Sequence, residues 1–153
     1  MDDLAALELW AAPLLQHLQP VERRALARRI GIALRRSQQQ RIAQQQNPDG
    51  SSYVPRKRGE RVRDRKGRIK ERKARMFQRI ARAAHLKVQA TGSDVSVGFS
   101  GRAGRIARVH QDGLEDRAKP GGPLVRYARR QLLGFTAEDR QLVQDMLLQH
   151  LAG

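Results

Sequence analysis

The chain has 153 residues and a formal net charge of +16, from 31 Lys and Arg against 15 Asp and Glu. Apolar residues make up 39% of it and only six residues are aromatic, so the chain can bury only a modest hydrophobic core. It has no cysteine, which excludes disulfides and thiolate chemistry, and no apolar run near the roughly 20 residues that cross a bilayer.

The first third of the chain is predicted to be helical. In residues 1–46, apolar side chains such as Leu4 and Leu7 recur at spacings of three and four, which is typical of an amphipathic helix. Pro13 predicts a kink in the first helix, and Pro20 fits the first position of a second helix. The opening residues lack the basic region of a signal peptide, so we expect a cytoplasmic location.

A strong helix stop follows at Asn47-Pro48-Asp49-Gly50. A residue before proline is pushed out of the helical region, and Asp-Gly favours a tight turn. The candidate structural residues are the members of this turn, together with a histidine and a glycine at a later helix end: Asn47, Pro48, Asp49, Gly50, His110 and Gly113.

The most unusual stretch is residues 56–75, hereafter the basic segment. It holds 12 Lys and Arg against three acidic residues, for a net charge of +9. No core element carries such charge, so we expect the segment to face water, phosphate or an acidic protein surface. It is interpreted as a solvated loop, a nucleic-acid contact, or a docking arm that orders against an acidic partner. The residues expected to contact DNA or an acidic partner are Arg56, Lys57, Arg58, Arg61, Arg63, Arg65, Lys66, Arg68 and Lys70.

Apolar residues recur with helical spacing over about Lys70–Ala84, and from there on they alternate with polar residues as in a β-strand. The predicted helix has an apolar face of Met76, Phe77, Ile80 and Ala81. Alternating apolar residues on both sides of the Thr-Gly-Ser-Asp turn at residues 91–94 predict a β-hairpin over residues 86–99.

The remaining residues predict a short helix, a second hairpin and a last helix. Gly113 is expected to close a helix over Arg105–Gln111. Two short strands, Leu114–Lys119 and Leu124–Tyr127, flank a Pro-Gly-Gly-Pro turn. The sequence from Thr136 to Asp139 resembles a capping box, with Asp in place of the usual Glu or Gln, and opens a C-terminal helix.

This order of elements predicts an α+β fold: N-terminal helices, a small antiparallel β-sheet of two hairpins with a short helix, and a C-terminal helix. We expect one domain in all. Its expected parts are a helical region at residues 1–46, a flexible basic arm at residues 47–75, and an α+β core at residues 76–153 packed with the N-terminal helices.

The sequence contains no recognisable catalytic or metal-binding motif. The four histidines are scattered, and none has the spacing of a metal site. The glycine-rich stretch at residues 98–104 lacks the spacing of a phosphate-binding loop and is expected to be a strand-to-helix turn. His110 is expected to pack or to cap a helix, with a catalytic role as the alternative. We therefore predict a protein that is not an enzyme and needs no metal or cofactor.

Several short motifs follow one another along the chain. They begin with Gln46-Asn47-Pro48-Asp49-Gly50 and Met76-Phe77, continue through Ala83-Ala84-His85-Leu86-Lys87 and Ile106-Ala107-Arg108-Val109-His110-Gln111, and end with Tyr127-Ala128-Arg129 and Leu132-Leu133-Gly134-Phe135-Thr136. This succession resembles the phage virion morphogenesis family, the tail-completion proteins of contractile-tailed temperate phages. The resemblance covers nearly the whole chain.

The resemblance implies a small structural protein that finishes the phage tail and supports its joining to the filled head. More distantly, it resembles neck proteins that form rings around the DNA channel, sixfold by analogy. The implied partners are copies of itself, neighbouring tail-tube, terminator and head–neck proteins, and phage DNA in the channel, with no membrane. The implied location is the head–tail junction of the virion, after assembly in the bacterial cytoplasm.

Two other classes of function stay open from the residues alone. The charge of the basic segment suits a sequence-nonspecific nucleic-acid-binding protein, which would contact the phosphate backbone. The third class is an enzyme that uses His110. The family carries no catalytic residues that would support this third class.

Overall fold

The computed structural model describes residues 3–56 and 75–152 of the chain. The helices and strands in these ranges are α1 (Asp3–Leu15), α2 (Pro20–Ala43), β1 (Leu86–Ala90), β2 (Val95–Phe99), α3 (Gly101–Asp112), β3 (Glu115–Arg117), β4 (Leu124–Arg126) and α4 (Ala137–Ala152). The strands form two sheets, β1 with β2 and β3 with β4. The predicted α+β fold with two hairpins is confirmed. None of the described helices is long and apolar enough to cross a membrane.

The described residues divide into two compact units, each with a hydrophobic cluster of its own. Unit 1 takes its residues from Met1–Ser37, Lys87–Gly98 and Phe135–Gly153. Unit 2 takes its residues from Gln38–Leu86 and Phe99–Gly134. Helix α2 therefore contributes its first turns to unit 1 and its last turns to unit 2.

Unit 1 is built around one face of α2. Leu26, Ile30 and Leu34 recur every four residues on this helix, and all three are buried together with Val143 and Leu147 of α4. Residues spaced by four lie on one side of a helix, so the sequence pattern alone dictates this apolar face. Burial of each such side chain contributes about 1.5–3 kcal/mol.

A glycine on α2 lets the β1–β2 hairpin approach the helix within unit 1. A Cβ atom on Gly31 would lie 2.4 Å from Cγ1 of Val88 and 2.8 Å from Cγ2 of Val95. Real Cβ atoms essentially never approach other atoms this closely. The hairpin can therefore pack at this distance only because residue 31 has no side chain.

The capping box that opens α4 is present. The Thr136 amide donates to Oδ2 of Asp139 at 3.1 Å, and the Asp139 amide donates to Oγ1 of Thr136 at 3.0 Å. Asp139 is 1% exposed and also accepts a hydrogen bond from the Ser37 hydroxyl. The helix dipole favours a carboxylate near a helix N-terminus. The dipole and these hydrogen bonds therefore offset the cost of burying Asp139.

Helix α2 ends earlier than the polar Gln-rich sequence predicts. The Gln45 amide donates to the carbonyl of Ile42 at 2.9 Å, and the Gln46 amide donates to that of Arg41 at 3.2 Å. With φ of 58° at Gln45, this is a Schellman motif, in which a left-handed residue closes the helix. The motif stops the helix at Ala43, ahead of the Asn-Pro stop.

The helix predicted over Lys70–Ala84 is wrong in its described part. Residues 75–84 form turns instead. Phe77 has φ of 69°, which a right-handed helix does not allow. The predicted apolar face is nevertheless inward, because Phe77, Ile80 and Ala81 pack against the buried cluster of unit 2, which is Ile42, Ala107 and Leu132. The first residues of that predicted helix lie outside the described residues.

Helix α3 is longer than predicted, and the second hairpin is shorter. The helix already begins at Gly101, and Gly113 ends it in the left-handed conformation, with φ of 65°. Strands β3 and β4 pair antiparallel over three residues each, with Glu115 opposite Arg126. The sequence predicted the existence of these elements and missed their bounds by at most four residues, which is typical of boundary prediction.

Candidate functional site: the base of the basic segment

Both ends of the basic segment are anchored in unit 2. Of the residues predicted to contact DNA or an acidic partner, Arg56 is described and exposed. The others lie outside the described residues: Lys57, Arg58, Arg61, Arg63, Arg65, Lys66, Arg68 and Lys70. We define the segment base as the side chains that hold its two ends, namely Gln45, Tyr53, Met76, Phe77, His110 and Arg130.

Tyr53 fixes the chain three residues before the basic segment begins. Its amide donates to the carbonyl of Gln45 at 2.8 Å, and its hydroxyl donates to the carbonyl of Gln131 at 2.9 Å. The side chain is 6% exposed, and burial raises its pKa to about 12. Tyr53 is therefore a neutral hydrogen-bond donor at physiological pH, and it orients the chain leading into the segment.

Arg130 binds the two residues that follow Tyr53, namely Val54 and Pro55. Its Nε donates to the carbonyl of Val54 at 2.7 Å and its Nη2 to that of Pro55 at 3.2 Å. Its Nη1 lies 3.1 Å from Nδ1 of His110. Arg130 is 4% exposed, and such a buried cation needs all of these partners. Burial, and then the charge of Arg56, lower the pKa of Arg130.

Gln45 holds the other end of the basic segment. Its Oε1 accepts a hydrogen bond from the Met76 amide at 2.8 Å, and its Nε2 donates to the Met76 carbonyl at 2.9 Å. The backbone carbonyl of Gln45 is the one that accepts from Tyr53. One residue at the end of α2 therefore binds the chain on both sides of the basic segment.

A row of aromatic rings connects these anchors. Phe77 makes edge contacts with Tyr53, at 5.6 Å between centroids, and with His110, at 4.7 Å. His110 in turn meets Tyr127 at 4.9 Å and 62°. Edge-to-face pairs of this kind contribute about 0.5–1.5 kcal/mol each beyond their buried area.

His110 is buried as a neutral imidazole. Burial, followed by the charges of Arg130 and Arg56, lowers its pKa to about 4. Its Nδ1 accepts from Arg130, which places the ring proton on Nε2. The carbonyl of His110 also accepts hydrogen bonds from the amides of Gly113 and Arg130. With its ring in edge contact with Phe77 and Tyr127, His110 is arranged for packing and hydrogen bonding.

The turn at residues 47–50 joins two distant parts of unit 2. Oδ1 of Asn47 accepts from the Gln131 amide at 2.8 Å. Asp49 accepts from the Ser51 amide at 2.8 Å, and hydrogen bonds from Ser51 lower the pKa of that carboxyl. Gly50 has φ of 90°, and Pro48 packs so closely on Gly134 that a Cβ there would lie 2.5 Å from its Cγ. The turn thus positions the chain that leads to Arg130.

Sequence reasoning missed Gln45 and Arg130, the two residues that hold the segment base. Gln45 is one of six glutamines in a polar run, and nothing distinguishes it by pattern. Arg130 is one of 31 basic residues. The available signal was the position of Gln45 directly before the helix stop, where an αL residue is expected.

The segment base has the chemistry of an anchor. Within residues 3–56 and 75–152, no three His, Cys, Asp or Glu side chains are grouped so that they could hold a metal ion. The polar side chains of the segment base instead form hydrogen bonds with backbone carbonyls and amides. The arrangement fixes both ends of a strongly basic stretch at one place on unit 2 and leaves the exposed Arg56 at its start.

Comparison with known proteins assigns the chain to a family. The profile of the phage virion morphogenesis family matches residues 2–152. Tail completion protein S of Escherichia phage P2 is 36% identical over 152 residues, which cover 99% of both sequences. No solved structure matches the chain. On the length of these two matches, the chain belongs to the phage virion morphogenesis family.

Proposed function

We propose that this chain completes the phage tail and supports the joining of the tail to the DNA-filled head. The observation that carries the proposal is the 36% identity to tail completion protein S over 99% of both sequences. The match spans both compact units and the basic segment. The protein would therefore be a component of the virion, built into the tail in the cytoplasm of the bacterial host.

We further propose that copies of the chain form a ring around the DNA channel, with six copies by analogy to neck proteins. Large apolar side chains that are exposed on unit 1 support self-association, among them Val21 at 80%, Leu9 at 66% and Leu148 at 51% exposure. A closed ring buries such side chains between neighbouring copies. The basic segment would then face an adjacent tail or head–neck protein, or the DNA in the channel.

The proposed mode of action is binding, without catalysis. The buried polar groups of the segment base are engaged in holding backbone atoms, and His110 is 7% exposed, bonds to Arg130 through Nδ1 and contacts two aromatic rings. An enzyme would instead present a titratable group to a substrate within hydrogen-bond reach. Replacement of His110 by Gln tests this, because a catalytic His110 would lose an activity while the virion still assembled.

Disruption of the gene in the phage tests the main proposal. Cells infected with the mutant phage should accumulate separate filled heads and tails, visible by electron microscopy of the lysate. Expression of the intact chain from a plasmid should restore infectious particles. Normal virions in the mutant lysate would contradict the proposal. Reconstruction of the virion by electron microscopy would locate the ring and give its copy number.

A second candidate function is sequence-nonspecific binding of nucleic acid, favoured by the net charge of +9 on the basic segment. If the segment neutralises about six to ten phosphates of a duplex, log Kobs against log salt has a slope of about −5 to −9. The slope is measured by anisotropy of labelled duplex DNA at several salt concentrations. Weak binding with a shallow slope would exclude DNA as the main partner.

A further inference from the structure

A cleft of about 480 Å³ in unit 2 lies beside the segment base. It is lined by Val54 just before the basic segment, by Arg56 at its start, by Ile106 of α3, and by Val125 and Arg126 of β4, among others. Its volume lies within the range of about 300–1,000 Å³ that is common for ligand sites. Nothing in the proposed tail-completion function assigns a role to this cleft.

The floor of the cleft is apolar and partly open to solvent. Val54 is 51% exposed and Ile106 is 40% exposed. Val109, Met76 and Val125 also line it. Burial of apolar surface contributes roughly 25 cal/mol per Å², so a ligand that covers Val54 and Ile106 gains free energy from this floor.

The rim of the cleft is positively charged. Three exposed arginines line it, namely Arg56, Arg117 and Arg126, against the single acid Asp116, and Arg126 is itself paired with Glu115 at 3.5 Å. Asp116 is already paired with Arg105 at 2.7 Å, and that ion pair lowers the pKa of its carboxyl. The rim thus presents cationic side chains with no free carboxylate beside them, which favours an anionic ligand.

We propose that the cleft binds a segment of a partner protein in which Asp or Glu side chains flank an apolar side chain. The apolar side chain would cover Val54 and Ile106, and the carboxylates would meet the arginines, most directly the exposed Arg56. Charge complementarity argues for this occupant. DNA presents phosphates but no apolar side chain for the floor. The chain's own basic segment has the same sign of charge as the rim.

The inference deepens the proposed function, since a neighbouring tail protein would supply such a segment, and it is tested separately. The probe is a short fluorescein-labelled peptide of alternating Leu and Glu, titrated with the full-length protein and followed by anisotropy. A peptide of alternating Ser and Glu has the same charge without the apolar side chains. The Leu–Glu peptide should bind more tightly, since only it covers the floor.

Two substitutions at exposed positions assign binding to the cleft. Ile106→Gln and Arg56→Gln should each weaken binding of the Leu–Glu peptide about tenfold. Leu148→Gln and Arg24→Gln are matched controls on exposed positions of unit 1 and should leave binding unchanged. Thermal melting of each variant separates lost binding from lost folding.

Several results would overturn the inference. Equal affinity for the Leu–Glu and Ser–Glu peptides would show charge attraction alone, as would unchanged binding in Ile106→Gln. Tighter peptide binding after Gln replaces Arg61, Arg63, Arg65 and Arg68 would identify the chain's own segment as the occupant. Loss of self-association in Ile106→Gln, measured by sedimentation, would identify a second copy as the occupant. A failure here leaves the gene-disruption test of tail completion unaffected.

Discussion

Gln45 holds Met76 through both functions of its side-chain amide, with hydrogen bonds of 2.8 and 2.9 Å. Gln45 itself has φ of 58°, a left-handed conformation that costs an ordinary residue about 1–2 kcal/mol relative to the right-handed one. Glycine usually fills this position at a helix end. The hydrogen bonds to Met76 explain why glutamine occupies it, since a glycine would release the far end of the basic segment.

Replacement of Gln45 by Gly should separate backbone strain from anchoring. Glycine relaxes the left-handed backbone, while the lost hydrogen bonds cost about 0.5–1.5 kcal/mol each, so we expect a small net change in the free energy of unfolding. The Met76 amide loses its acceptor, and its hydrogen exchange should accelerate about tenfold. Amide exchange followed by NMR measures this effect.

The same experiment contains its own reference. The Tyr53 amide bonds to the backbone carbonyl of Gln45, which the substitution retains, so its exchange should change far less. Gln44→Ala, at the exposed neighbouring position, is the matched control and should leave both amides unaffected. Unchanged exchange of Met76 in Gln45→Gly would show that the side-chain amide does not hold it.

The contrast between Gln45 and Leu26 shows what the sequence can predict here. Leu26 belongs to a stripe of period near 3.6 on α2, and its burial follows from that pattern alone. The role of Gln45 depends on Met76, which is 31 residues away, and no local pattern encodes such a contact. The hairpins and the capping box are local as well, so they were predicted.

The error over residues 75–84 has the same origin. The apolar positions of this stretch recur as in a helix, and Phe77 does reach the cluster of unit 2. Its backbone is left-handed, where Phe is rarely found, and its ring is held between Tyr53 and His110. Tertiary contacts overrode a correct hydrophobic pattern, and only a structure reveals that.

Gly31→Ala should destabilise unit 1. The added methyl group collides with Val88 and Val95, and such overpacking costs about 1–3 kcal/mol. Alanine gains about 1 kcal/mol in helix propensity over glycine. The cost exceeds this gain if Val88 and Val95 cannot move away. Chemical denaturation measures the free energy of unfolding. Gly98→Ala is the control, because nothing lies within 4 Å of its added Cβ.

A second substitution tests the cause of that loss. Val88→Ala removes the methyl groups nearest to residue 31, so it should be less harmful in the Gly31→Ala background than in the wild type. A double-mutant cycle gives this coupling energy. Strict additivity of the two changes would show that the clash with Val88 is not the reason for the destabilisation.

Stability should fall as the pH drops through the range in which His110 titrates. The pKa of His110 is about 4 in the folded protein and near 6.5 when unfolded, so between these values the unfolded chain binds the extra proton. The contribution of His110 to the free energy of unfolding therefore has its full value above about pH 6.5. It decreases as the pH falls to about 4 and is constant below that pH.

Replacement of His110 by Phe should remove this part of the pH dependence. Phe retains a ring against Phe77 and Tyr127 but cannot titrate, so the urea midpoint should vary less between about pH 6.5 and pH 5 than in the wild type. The loss of the Arg130 hydrogen bond lowers the midpoint at every pH, and the slope is the quantity to compare.

Neutralising the basic segment should impair head–tail joining more than folding. Gln in place of Arg61, Arg63, Arg65 and Arg68 removes four of the 12 basic residues of the segment, none of which belongs to the anchors at its base. The melting temperature should therefore stay close to that of the wild type. Counts of complete virions against separate heads and tails in a complemented mutant lysate measure the effect on joining.

A control with the same total charge separates the segment from the net charge of the protein. Gln in place of four exposed arginines outside the segment, Arg24, Arg28, Arg36 and Arg108, makes the same change in net charge. If the proposed partner contact is correct, only the variant in the segment loses complete virions, because the four arginines outside the segment take no part in that contact. An equal loss in both variants would assign the effect to net charge, and normal assembly in the segment variant would make the segment a solvated loop.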